Sequence, residues 1–432
     1  MASIRLTYIG GGSTRAPGTV AAMIERGAAF VGSEIVLVDL DERRLDTVRR
    51  LATRMAAARG VDLRFRTTTD RVDGLTDADI VLTSFRPGGF HARALDESIP
   101  LRHGVIGQET QGPGGFMMAL RSIAVMRDIV TDIDAHAPRA TLINYTNPVN
   151  VVSEAITHHS AIRTISLCEG PLQFPAGAMR SAGLDPATLD ATLVGLNHTG
   201  WTVRHEDAEG DVIPRIRAAD GARRDRPSED PRSDRLLHLA ATMGALPSPY
   251  LDYYYFREAT VAEAMARPTT RAQDILAEVD DYWRHYEEQA TAAEPRLDPD
   301  RSRGGILELE LAVDVIDAIV NDTGATWPVN VPGRGSLPGF PDDLVVEVPA
   351  VVDRRGATPI PQPGLPPTVR GLIEMLGAYQ ALAGEAAWSG TRRDAVAALA
   401  SHPLVVSLDL AERLYDDLAA AHREHLPARL LA

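Results

Sequence analysis

Along the first third of the chain, short apolar runs alternate with longer stretches whose apolar residues recur at helical spacing. Residues 4–9 (IRLTYI) run straight into Gly10, Gly11 and Gly12, as a strand entering a tight turn does. A helix is predicted over about 17–26, and a second, β-branched strand over 33–40 (SEIVLVDL), reaching Asp39 near its end. A charged helix follows in DERRLDTVRRLATRMAAARG. Further strands are predicted at 80–83 (IVLT) and 141–144 (TLIN), helices at about 115–133 and 149–159, and RTISL reads as a strand just before Cys168. This alternation predicts the α/β class, with a Rossmann-like doubly wound parallel sheet over residues 1–190.

After Trp201 the pattern changes. Residues 205–235 are so charged and so poor in large apolar side chains that they read as a surface excursion. Helical periodicity returns at about 257–292, 306–321 and 390–424, and a Pro/Gly-rich segment leads into an apolar strand at about 344–352. Residues 191–432 therefore read as a mainly helical α+β domain, expected to hold the substrate and to mediate oligomerisation. There is no internal repeat.

Composition narrows the function classes. A chain of 432 residues predicts two domains, and a formal charge of −15 argues against nucleic acid or anionic membrane as a partner. A small molecule is favoured, and a locally basic pocket still allows an anionic one. No apolar stretch reaches the roughly 18 residues of a membrane helix. The N-terminal residues lack a secretory pattern, so a cytoplasmic enzyme is expected. Cys168 is the single cysteine, which leaves it as a buried apolar residue, a nucleophile or a lone thiolate ligand.

Gly10, Gly11, Gly12, Ser13 and Thr14, between strand and helix, would let backbone N–H groups approach a pyrophosphate, and Asp39 would accept from the ribose hydroxyls of NAD. Arg15 stands where the usual fingerprint has its third glycine. Asn144, Tyr145, Thr146, Asn147 and Pro148 fall at the end of a strand, where the amides suit sugar or ribose hydroxyls; the plain alternative is an Asn-Pro turn. Cys168 and His198 are candidate ligands for a divalent metal, although each also reads as an ordinary packed residue. Tyr250, Tyr253, Tyr254 and Tyr255 suit helix packing, or a catalytic base if a nearby cation lowers one of them. The glycine-rich run 104–115 offers Gln108 and Glu109, and Arg86 and Arg93 flank Pro87, Gly88 and Gly89 as candidates for an anionic group.

Taken together, IGGGST, FRPGG, GVIGQETQGPGG, NYTNPVN, the Cys168 segment, GLNH, PYLDYYY and GSLPGFPDDLVVEVP resemble glycoside hydrolase family 4, above all its 6-phospho-β-glucosidase branch. The resemblance implies a lactate/malate dehydrogenase-like fold and a glycosidase that uses NAD as a catalyst, the exception to the two-carboxylate scheme. NAD would take hydride from C3 of the sugar, a metal would polarise the resulting ketone, Tyr250 would remove the C2 proton, and elimination followed by water addition would complete hydrolysis. Cys168 and His198 match the metal ligands, with Mn2+ expected and Fe2+, Co2+ or Ni2+ as alternatives. Arg93, Asn147, Glu109, Asn197 and Arg271 are the implied substrate contacts, and a homodimer or homotetramer is expected.

Two departures bear on specificity. Glu169 follows the cysteine where the β-branch has Asn and the α-branch Asp, so it is either an acid for the leaving oxygen or a metal or substrate contact. Arg303, Gly304 and Gly305 are followed by apolar Ile306 and Leu307, and Leu95 replaces an Asn. An α-linked or unphosphorylated sugar, such as a galactoside or glucuronide, is therefore an alternative, and a plain NAD-dependent hydroxy-acid dehydrogenase is another, because the βα units also resemble those of lactate and malate dehydrogenases.

Overall fold

The computed structural model describes residues 3–223, 228–303 and 309–432. Six strands, β1 (Arg5–Ile9), β2 (Ser33–Val38), β3 (Leu63–Thr68), β4 (Ile80–Thr83), β5 (Thr141–Asn144) and β6 (Arg163–Ser166), lie parallel in the order 3-2-1-4-5-6. This is the order of dinucleotide-binding folds, and it reverses between β1 and β4, where a crevice opens outside the carboxyl ends of the strands. Alternate residues feed opposite layers. In β2, Ile35 and Leu37 join the core that also takes residues of the helices Ala16–Glu25 and Glu42–Ala58, while Val36 and Val38 join that of the helix Gly112–His136. Burial on both faces is why β2, β4 and β5 read as continuous apolar runs. Strand β3 escaped the sequence reading because it is an edge strand in which only Leu63 is fully buried.

The second half adds a small antiparallel sheet of β7 (Asp190–Val194), β8 (Trp201–Asp207) and β9 (Gly210–Asp211). It also extends the main sheet. Strands β10 (Ala325–Pro332), β11 (Val345–Asp353) and β12 (Gly356–Pro359) continue it antiparallel beyond β6, with Asn330 paired to Ser166. The strand expected at 344–352 is β11. Strand β10 was not anticipated, because Pro328 and Pro332 argue locally against a strand.

The surface excursion expected at 205–235 is instead largely ordered structure. After β8 and β9 come the helices Ile213–Arg223 and Pro231–Met243, which pack Ile213, Ile216, Leu237 and Ala240 against Ala178 and Met179 of the helix Gly170–Ser181. A pair of helices covering one small patch needs only about one apolar residue per turn, so the charged background hid it. The periodic stretch 257–292 is two helices, Arg257–Ala266 and Arg271–Gln289, separated around Pro268 and restarted by a Thr270 capping box. Likewise 390–424 is Arg392–Ala400 and Leu408–Ala421, separated around Pro403. The helix expected at 306–321 is Glu310–Val320, its predicted start lying outside the described residues. The long helix Pro367–Trp388 was missed: Gly377 and Gly384, where the helix meets Leu344 and Glu154–Ala155 closely, dilute its apolar stripe.

One buried polar cluster ties the C-terminal helices to the crevice. Arg121 binds Asp96 through two hydrogen bonds of 2.9 and 2.6 Å, both side chains are fully buried, and His422 Nε2 lies 2.9 Å from the same carboxylate. Asp96 sits on the helix Gly89–Arg102, so this cluster fixes the element that presents Arg93.

Candidate active site

The glycine turn follows β1 at the crevice. Gly10 has φ +102°, and a Cβ there would stand 2.1 Å from the carbonyl oxygen of Ser84 at the end of β4, so no other residue fits without moving that strand end. Gly12 donates to Asp39 Oδ2 at 2.9 Å, and the N–H of Leu40 donates to Asp39 Oδ1 at 2.7 Å. The Asp39 carboxylate is therefore clamped onto the turn, half-buried, with lone pairs left over for hydroxyl donors. Ser13 and Thr14 lead into the helix Ala16–Glu25, whose start carries no side-chain cap. A close-approach turn, an uncapped helix start and an acid at the next strand end fit a dinucleotide with an unphosphorylated adenosine ribose.

Across the crevice, Cys168 follows β6, and the N–H of Gly170, at the start of the next helix, donates to its Sγ at 3.4 Å. His198 lies in the loop joining β7 to β8, which is fastened to β11 by paired hydrogen bonds between Gly195 and Glu347. These two loops bring His198 Nε2 within 3.5 Å of Cys168 Sγ. For zinc, donors at about 2.3 Å (sulfur) and 2.0–2.1 Å (nitrogen) at a tetrahedral angle stand roughly 3.5 Å apart, so the pair is close enough to share one divalent ion. Among the described residues no group of three or more His, Cys, Asp or Glu could hold a metal ion, so positions would remain for substrate oxygens. Burial pulls His198 down to about 4, which keeps its imidazole neutral and able to ligate. Burial, then the Glu347 carboxylate, pushes the Cys168 thiol up to about 12, so a cation is needed to hold it as thiolate.

Tyr250 stacks on that histidine, ring centroids 3.9 Å apart and planes within 2°. Its turn is placed by Ser248, whose Oγ donates to the His198 carbonyl at 2.5 Å and accepts from Tyr250 N–H at 3.4 Å. Burial raises the Tyr250 hydroxyl well above its ordinary value, with the Cys168 and Glu109 charges adding to it. Glu169 stands at the cap of the helix Gly170–Ser181, its Oε1 accepting from Tyr145 Oη at 2.9 Å and Leu311 N–H at 3.4 Å. Asn147 is half-buried at the end of β5, its carbonyl accepting from Ser122 Oγ at 3.0 Å.

Asn197 does not point freely into the crevice. Its Nδ2 donates to Glu347 Oε1 at 2.8 Å, and Asn330 Nδ2 donates to the same oxygen at 2.9 Å. Glu347, which the sequence reading did not single out, is 1% exposed, and burial raises its carboxyl to about 7 against those two hydrogen bonds. An acid inside the apolar run LVVEVP was the available signal. The folded-state value lies above the ordinary 4.5, so this contribution is complete below that pH and is lost as pH rises through about 7. Glu347→Gln should therefore remove a pH-dependent penalty of order 3 kcal/mol, seen as a smaller loss of unfolding free energy between pH 5 and pH 8 in chemical denaturation. An unchanged slope would refute the assignment.

Arg93 and Glu109 pair with each other at 3.0 Å. Arg93 also binds Glu97 at 2.7 Å, Arg86 lies 2.6 Å from Glu109, and Glu97 Oε2 accepts from Ala272 N–H at 2.8 Å. Burial pushes Glu109 up, but Arg86, Arg93, Arg15 and Arg303 outweigh it and hold the carboxyl down at about 2. The cluster is cationic overall. Arg271, at the start of the helix Arg271–Gln289, is exposed next to Ala272, and Leu95 is 38% exposed on the helix of Arg93. Gly304, Gly305, Ile306 and Leu307 lie outside the described residues.

Known proteins resemble this chain over nearly its whole length. Residues 5–180 match the model for family 4 glycosyl hydrolase, and residues 193–405 that for its C-terminal domain. The chain is 33% identical to the 6-phospho-beta-glucosidase of Escherichia coli, covering 98% of this chain and 96% of that one. It is 28% identical to the 6-phospho-alpha-glucosidase of Leptotrichia buccalis over 99% of each. Among solved structures, the 6-phospho-beta glucosidase of Thermotoga maritima with NAD and glucose-6-phosphate is similar at TM-score 0.85 and 26% identity, over 98% of this chain and 99% of that one.

Proposed function

The chain belongs to family 4 of the glycosyl hydrolases, and from that premise we propose that it hydrolyses the O-glycosidic bond of 6-phospho-glucosides with NAD and a divalent cation, foremost Mn2+. The observation that carries this reading is the approach of Cys168 Sγ and His198 Nε2 to 3.5 Å with Tyr250 stacked on that histidine, outside the carboxyl edge of a 3-2-1-4-5-6 sheet. The cationic excess around Glu109 supports a phosphorylated sugar, and the higher identity to a β-type than to an α-type relative, 33% against 28%, favours the β-anomer.

Bound along the Gly10 turn and at Cys168 and His198 respectively, NAD supplies reversible oxidation at C3 of the sugar and the cation supplies Lewis-acid polarisation there. The chain's own residues do the rest. Tyr250 takes the proton from C2, and the electron pair left behind expels the aglycone from C1. Glu169, oriented by Tyr145, delivers a proton to the leaving oxygen, and water then adds at C1 while Tyr250 returns the proton to C2. Asn147, Asn197 and Arg271 contact the sugar, with one of the two amide N–H groups of Asn197 engaged by Glu347. Arg93 and its neighbours attract the phosphate. We read residues 1–190 as the NAD-binding part and 191–432 as the part that completes the substrate site, on one shared sheet. A homodimer or homotetramer in the cytoplasm is the matching setting, since NAD and sugar phosphates are intracellular solutes.

The test is hydrolysis of nitrophenyl 6-phospho-glucosides of both anomers beside their unphosphorylated forms. Turnover should need NAD and Mn2+ together and should favour the phosphorylated β-anomer. Undiminished turnover after chelation, or net NADH accumulation without aglycone release, would sink the proposal.

A further inference from the structure

Which nitrogen of His198 carries its proton decides whether Nε2 can act as a ligand, and the hydrogen bonds behind the ring contain the answer. Gln108 Oε1 accepts from the backbone N–H groups of Thr110 at 2.6 Å and Gln111 at 2.7 Å. Backbone N–H groups only donate, so the carboxamide atom facing them is the oxygen, and the orientation of Gln108 is fixed. Thr110 Oγ1 lies 2.9 Å from this same oxygen and 2.8 Å from His198 Nδ1. A hydroxyl has one proton. If Thr110 gave it to Nδ1, two oxygen lone pairs would face each other at 2.9 Å with no proton between them. If Thr110 gives it to Gln108, its oxygen is free to accept from Nδ1–H, and every contact is satisfied.

We propose that Thr110, oriented by Gln108, is a positioning residue that holds His198 as the Nδ1–H tautomer and so presents the Nε2 lone pair toward Cys168 Sγ. The metal role of His198 rests on the function proposed above; the tautomer does not. Turning the ring over would keep its stack on Tyr250 but would set ring carbons against Thr110 Oγ1 and Cys168 Sγ, so these two nitrogen contacts hold its orientation. The loop bearing Thr110 is held in turn, since Gln111 Nε2 donates to the Thr110 carbonyl at 3.0 Å and Gln111 Oε1 accepts from the buried Tyr254 hydroxyl. Supporting partners of this kind typically change metal affinity by about 10- to 100-fold when removed.

The experiment reads the ring nitrogens directly. In metal-free, full-length protein labelled with 15N-histidine, the His198 signals, assigned by their loss in His198→Gln, should show a protonated Nδ1 and an unprotonated Nε2. Thr110→Ser should preserve this pattern. Thr110→Val should lose it and weaken Mn2+ binding, followed by electron paramagnetic resonance of the free ion, by about 10- to 100-fold. A wild-type ring protonated at Nε2 would overturn the proposal whether or not the Val variant folds. So would a folded Thr110→Val protein with unchanged nitrogen shifts. If wild-type protein shows the Nδ1–H ring but binds no Mn2+, the metal reading fails and the tautomer assignment stands.

Discussion

Tyr250→Phe is expected to lower kcat by about 10²- to 10⁴-fold while leaving NAD and Mn2+ binding close to wild type. The phenyl ring keeps the stack on His198 and the edge contact with Phe174, 5.7 Å between centroids, so the variant removes an oxygen rather than a packing element. What is lost is the group assigned to take the C2 proton in the proposed reaction. The buried hydroxyl is a poor base as it stands, because burial and the Cys168 and Glu109 charges hold its proton on. A divalent charge at Cys168 and His198 reverses the sign of that local field, which ties the basicity of Tyr250 to metal occupancy. Two readouts separate this from a binding defect: KM changes little, and exchange of the C2 proton with solvent deuterium disappears along with turnover. A Phe variant that still exchanges C2 hydrogen at the wild-type rate would remove Tyr250 from the mechanism.

How much of this was legible in the sequence depended on how plainly the local pattern is written. The strands β2, β4 and β5 could be read because two-sided burial writes a dense apolar run, and the turn at Gly10 because its φ and its contact with Ser84 admit no side chain. The edge strand β3, the proline-bearing β10 and the glycine-diluted helix Pro367–Trp388 could not, because their own residues blur the pattern: β3 fully buries only Leu63, β10 holds Pro328 and Pro332, and Gly377 and Gly384 break the helix's apolar stripe. In the site the limit is different. Cys168, His198 and Tyr250 stood in recognisable segments, but nothing local brings Cys168 and His198, 30 residues apart, to 3.5 Å; that takes the fastening of the β7–β8 loop to β11. Arg93 suggested a free cation for an anion. Its i,i+4 partner Glu97 was visible on the same helix, whereas its second partner, Glu109, comes from the glycine-rich loop beyond the helix end. Asn197 likewise offered two amide donors and an acceptor until the fold gave one of those donors to Glu347.

Cys168→Ala should abolish detectable Mn2+ binding and, with it, hydrolysis, a larger loss than the about 100-fold expected at most from an outer residue such as Thr110. With the sulfur gone, His198 Nε2 is the one proposed ligand left, and a single neutral imidazole does not retain a divalent ion against water. Cys168→Ser makes the test sharper. A serine oxygen is a harder donor than sulfur, so the Ser variant should keep more affinity for Mn2+ than for Co2+ or Ni2+ relative to wild type, and its residual activity should lean toward Mn2+. The alternative, that Cys168 is only a small buried side chain, predicts that Ala and Ser differ in stability alone and bind metal like wild type. A neutral thiol would use the same contacts, its S–H donating to the imidazole nitrogen at 3.5 Å and its sulfur accepting the helix-start N–H at 3.4 Å. Those two contacts also suit a thiolate beside a cation, so titration of wild-type, Ala and Ser proteins with Mn2+ and Co2+ in parallel decides between the readings.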